Sequence, residues 1–184
     1  MKLKCAICMV SVIFLIALGS AAEENVSINS LPAIPRENLP EGFKLLAIKD
    51  ASTQGVNITE EIKDFFGAEN IGPVNVTVGI YTWAPLGTAY DSKITLLSLE
   101  NEDSARAAIS NYMSLPEFKT PPYKGMSRFY RAIINGHNTT EIRDAVGDTG
   151  LRYLYLWNKG NVVVLVEGNG TRDKSMELAS ATGI

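Results

Sequence analysis

Few side chains in this chain combine a reactive type with a useful spacing. His137 is the one histidine, and a general base or a metal ligand is the work an imidazole does near neutral pH. It stands in Asn135-Gly-His-Asn138, with no second histidine to share a metal, and reads as an exposed turn residue ahead of a helix. A nucleophilic serine needs a strained elbow or a neighbouring base. There is no Gly-x-Ser-x-Gly, and Gly125-Met-Ser127 does not replace it. Gly168-Asn-Gly170 before Arg172 is glycine-rich but lacks the Lys-Ser/Thr of a phosphate loop, so it reads as a strand-to-helix turn. Cys5 and Cys8 form a Cys-x-x-Cys pair, the spacing of redox and metal sites. Both fall in an N-terminal leader, and no cysteine follows them. The residues thus supply no catalytic set, metal site or cofactor site.

Carboxylates are the one group that recurs. Glu61 and Asp64 are echoed by Glu141 and Asp144, because Thr59-Glu-Glu-Ile-Lys-Asp-Phe-Phe-Gly67 returns as Thr139-Thr-Glu-Ile-Arg-Asp-Ala-Val-Gly147. Hydrolysis by two carboxylates requires them to face one cleft with their acidities pushed apart. Carboxylates at these spacings are otherwise the solvated side of two amphipathic helices. The aromatic residues offer binding in place of catalysis. Tyr81 and Trp83 share one face of a strand, and so do Tyr153, Tyr155 and Trp157. On one side of one sheet they would form a wall able to stack sugar rings, hold an apolar ligand or dock a protein. Under helices or the Pro-rich segment they would be ordinary core.

The repeated stretch organises the elements that must position these residues. Residues 43–48, 74–83 and 93–99 read as strands, 59–66 and 102–113 as helices, with a hairpin loop over 84–92. The helix at 59–66 has Thr59 as its N-cap and buries Ile62, Phe65 and Phe66. A second set follows: strands at 128–135, 151–157 and 161–167 and helices at 139–146 and 172–181. The expected fold is α+β. Internally duplicated βαββα units, 43–114 and 129–181, share one largely antiparallel sheet with helices on one face, an order that overlaps the ferredoxin-like arrangement. The Pro-rich loop 115–127 joins the units, and 43–184 forms one domain because neither unit buries enough alone.

Ahead of the domain lie two further segments. Lys2 and Lys4, an apolar run from Ala6 to Leu18 and Gly19-Ser-Ala-Ala22 make residues 1–22 a secretory signal peptide, with an uncleaved anchor as the alternative. The run is too short to cross a bilayer comfortably, and no later stretch suits a stable membrane span. Residues 23–42, with Pro32, Pro35 and Pro40, read as a Pro-rich tether or surface strap.

Charge and composition narrow the partners. Without Lys2 and Lys4 the chain has 15 basic against 20 acidic residues, a net −5, which is unsuited to a nucleic-acid backbone. Five Asn-x-Ser/Thr sequons, at Asn25, Asn57, Asn75, Asn138 and Asn169, exceed the roughly two that composition gives by chance. They point to a glycoprotein, although Asn57 and Asn138 could equally be helix caps. The expectation is a non-catalytic binding or accessory module, secreted or on the extracellular face of the cell envelope. Its partner would be an extracellular protein, a glycan or an apolar ligand. The alternatives are an extracellular hydrolase using paired carboxylates and a structural component of the envelope.

Overall fold

A computed structural model describes residues 33–83 and 90–184. The leader 1–22, the first part of the Pro-rich segment, Asn25 and the loop 84–89 lie outside the described residues. The core is a seven-stranded sheet in the order β1-β2-β3-β7-β6-β5-β4, antiparallel throughout. Its strands are β1 (Phe43–Asp50), β2 (Val74–Trp83), β3 (Tyr90–Leu99), β4 (Phe129–Ile134), β5 (His137–Val146), β6 (Gly150–Lys159) and β7 (Val162–Gly168). Among the described residues three helices accompany them: α1 (Ile58–Glu61), α2 (Glu102–Met113) and α3 (Arg172–Ser180). β3 and β7 form the central pair, and β7 is apolar along both faces as a central strand should be.

Helices cover both faces of the sheet, where one covered face was expected. Alternate residues of β7 separate the two cores: Val163 and Leu165 join one, Val164 and Val166 the other. The first core lies under α1, the following 3₁₀ turn (Lys63–Phe65) and α2, and contains Phe65, Val78, Leu97, Tyr112 and Leu154. The second lies under α3 and the strap 33–42, and contains Ile34, Tyr81, Tyr155, Trp157 and Leu178.

The duplicated order also fails. Residues 43–114 run strand, helix, strand, strand, helix, whereas 129–181 hold four strands and then a helix. The echoed stretch 139–146 is not a helix but the body of β5. Asn135-Gly136 decides this: their φ values of 50° and 82° are those of a tight hairpin turn, which pairs Ile134 with His137. Once β5 is laid beside β4, Thr139 and Glu141 face the second core and Ile142 the first, an alternation that suits β-branched residues. The first copy is only a short helix. Asn57, not Thr59, caps it, accepting the Thr59 N–H at 3.2 Å. Ile62 then leaves helical geometry at φ −125°. Ile62 and Phe65 are buried, while Phe66 is exposed.

The 115–127 segment is packed in place. Arg128, itself buried, donates to Thr120 O at 3.0 and 2.8 Å and to Asp144 at 2.8 Å, and its guanidinium lies over the Phe118 ring. At the other end of the chain, the strap is seated by a missing side chain. A Cβ on Gly79 would lie 2.5 Å from Ile34 Cγ2. With hydrogen there, Ile34 sinks onto β2 and the Tyr81 hydroxyl donates to Pro35 O at 2.8 Å.

Candidate functional site

The five aromatic residues do share one side of the sheet, but that side is interior. Tyr81, Tyr155 and Trp157 are all but inaccessible, and Trp83 and Tyr153 are half-buried. Trp83 stacks on Phe43 at 6.3 Å, and its ring lies so close to Gly42 and Gly170 that neither position has room for a Cβ without adjustment. Burial pushes the phenols of Tyr81 and Tyr155 up from their ordinary value, and at Tyr155 the adjoining Glu141 carboxylate acts in the same direction. The wall expected from the sequence is therefore covered by the strap and α3 and works as core.

The repeated carboxylates are separated by the sheet. Glu141 lies on the α3 face, completely buried, between two guanidinium groups: Arg143 Nε at 2.9 Å and Arg172 Nε at 2.8 Å, with the Tyr155 hydroxyl at 3.3 Å. Burial raises its pKa, and the hydrogen bonds and charges of Arg172 and Arg143 more than reverse this, leaving it below the ordinary carboxylate value. Arg143 in turn lies over the Tyr130 ring. Asp144 points to the opposite face, between Arg128 and Arg152.

Glu61 is drawn into a second charged cluster on the α2 face. It meets Lys49 at 2.9 Å and Lys93 at 3.7 Å, and Lys93 also meets Glu167 at 2.7 Å. These residues line a cleft of about 220 Å³, with Arg152, Asp91 and Asn169 at its margin. The hydrogen bond from Lys49 holds the Glu61 carboxyl below its ordinary value, against the effect of burial. Glu61 and Glu167 thus share one ammonium, but Glu61 is biased toward the charged state, whereas a general acid must keep its proton. Asp64 is half-buried on the 3₁₀ turn.

The remaining single residues fall into place separately. His137 begins β5 and does not precede a helix. Ser127 is exposed in the loop before β4. Gly168 and Gly170 do form the strand-to-helix turn, and a Cβ on Gly168 would collide with Ser175 of α3, so glycine lets that helix approach the sheet. Among the described residues no group of three His, Cys, Asp or Glu is placed to hold a metal ion, and no helix is long and apolar enough to cross a membrane. The asparagines of the four described sequons, Asn57, Asn75, Asn138 and Asn169, are all exposed.

Sequence reasoning missed one concavity. A groove of about 550 Å³ runs between the strap and α3. Pro40, Met176 and Ala181 give it an apolar floor, and Glu41, Asp173 and Glu177 an acidic rim. The helix at 172–181 was visible, but which segment would lie beside it was not. The Glu141 cluster was equally hidden, since Glu141 and Arg143 share a face only in a strand.

No family model matches the chain, and no curated protein does. Among solved structures the chain is similar to the extracellular domain of PknH from Mycobacterium tuberculosis, with a TM-score of 0.45 and 10% sequence identity, over 77% of this chain and 83% of that one.

Proposed function

We propose that the chain is an exported, glycosylated, non-catalytic binding module that works outside the cell. The leader and the sequons supply the location, and the groove between the strap and α3 supplies the contact surface. Its acidic rim over an apolar floor suits a basic segment of an extracellular protein. The mature chain, residues 23–184, is expected to bind a lysine-rich peptide, with an affinity that falls as salt rises. Changing Glu41→Lys together with Asp173→Lys should abolish that binding while the melting temperature is retained. Binding that survives the two changes, or no binding at low salt, would overturn the groove as the site.

The hydrolase alternative draws on one observation, the shared contact of Glu61 and Glu167 with Lys93. The depressed acidity of Glu61 counts against it, because two-carboxylate hydrolysis needs one raised and one ordinary carboxyl. Turnover of a glycoside by the mature chain, lost in Glu167→Gln, would restore that alternative.

A further inference from the structure

The two edges of the sheet are protected unequally. β1 carries a bulge between Leu45 and Ala47 and the charges Lys44, Lys49 and Asp50, all of which discourage pairing with another chain. β4 has none of these devices except Arg131. Its six residues, Phe-Tyr-Arg-Ala-Ile-Ile, pair with β5 in unbroken register. The Arg143 N–H donates to Arg128 O at 2.9 Å. By the alternation of an antiparallel ladder, the backbone groups of Phe129, Arg131 and Ile133 then point outward. Among the described residues no strand meets them. Ile133 is 68% accessible, the most exposed of the large apolar side chains described.

Asn138 is the cross-strand partner of Ile133. The two side chains emerge on the same face, because Phe129, four residues before Ile133, and Ile142, four after Asn138, both meet the α2-side core. Asn138 is exposed, makes no side-chain hydrogen bond among the described residues, and opens the sequon Asn138-Thr139-Thr140. Beside it a groove of about 400 Å³ runs past Met113, Phe129, Arg131 and Thr140. We infer that Asn138 carries an N-linked glycan whose first sugars lie along this groove and over Ile133. The glycan caps the β4 edge, because a bulky hydrated chain without strand geometry cannot extend a sheet. The proposal rests on the export part of the preceding reading and is independent of the acidic groove.

Peptide mass mapping of the protein recovered from its native cells tests the modification, and the same sample shows whether the leader was removed. An exported protein without the leader and with a glycan at Asn138 is the expected result. An exported protein with bare Asn138 overturns the inference and leaves export standing. Thr140→Ala and, separately, Asn138→Gln, made in the same cells, should each lose that glycan and at least double in mass by light scattering as the edge self-pairs. Adding Ile133→Lys should return either variant to the parent mass. Thr77→Ala, which removes the Asn75 sequon, should leave the mass unchanged apart from its own glycan. If Thr140→Ala and Asn138→Gln both remain as monodisperse as the parent, the glycan does not guard the edge.

Discussion

Glu141 is the most deeply buried charged side chain among the described residues. It is buried without water access and depends on Arg143 and Arg172 to stay charged. Its folded pKa is depressed, so its contribution is fully present above the ordinary carboxylate value of 4.5 and is lost as pH falls through the lower folded value. Glu141→Gln should cost about 2–3 kcal/mol in urea unfolding at pH 7, because it leaves two arginines facing a neutral group. As pH falls below 4.5 the gap from the parent should shrink, and an acid limb should persist in the variant because Glu61 and Asp50 are depressed too. A second single-residue effect concerns Gly79. Gly79→Val puts methyl groups where Ile34 rests, and should destabilise by about 1–3 kcal/mol. Removing the strap's grip more gently, Tyr81→Phe deletes the hydroxyl bond to Pro35 and should cost about 1 kcal/mol. Paired melts of the variants and parent measure each difference.

Elements with a strong local signal were readable before any coordinates. The alternation of 74–83 and the helix at 102–113 stand where the pattern put them, and the apolar run read at 161–167 is the strand Val162–Gly168. The failure at 139–146 has a particular cause. The helical spacing of Ile142, Ala145 and Val146 was real, but the Asn-Gly step before it is a hairpin signal and outweighs it. The first copy forms only the short helix Ile58–Glu61, which Asn57 caps, followed by the 3₁₀ turn Lys63–Phe65. Gly136→Val, which forces a β-branched residue into φ 82°, should cost at least about 1–2 kcal/mol and destabilise β4 and β5 together. Amide exchange on those two strands reads it. Asn57→Ala should cost about 1 kcal/mol in protein made without glycans, while Thr59→Ala should cost little, since Thr59 is not the cap. As for the aromatic site, the spacing showed that Tyr81 and Trp83 share one strand face and Tyr155 and Trp157 another, but not that both faces lie on one side of the sheet. What covers that side was not legible either, because the seat of the strap depends on an absent side chain at Gly79 and on residues more than 40 positions apart.

At the scale of the whole molecule, the sheet is closed by one long-range pairing. β3 meets β7 over Lys93–Ser98 and Val162–Glu167, and every other strand neighbour is also a neighbour in sequence. That arrangement makes residues 43–114 and 129–184 two incomplete sheets, each with an open apolar strand. Expressed apart, each should be insoluble; mixed during refolding, they should recover the far-ultraviolet spectrum of the intact chain. The same pairing has a consequence for biogenesis. β7 leaves the ribosome more than sixty residues after β3, so β1, β2 and β3 can pair with one another while the outer edge of β3 stays open over that interval. Under the export proposed above this delay is useful: the open sheet keeps the chain slack enough to be threaded through a translocation channel, and arrival of β7 on the far side closes it.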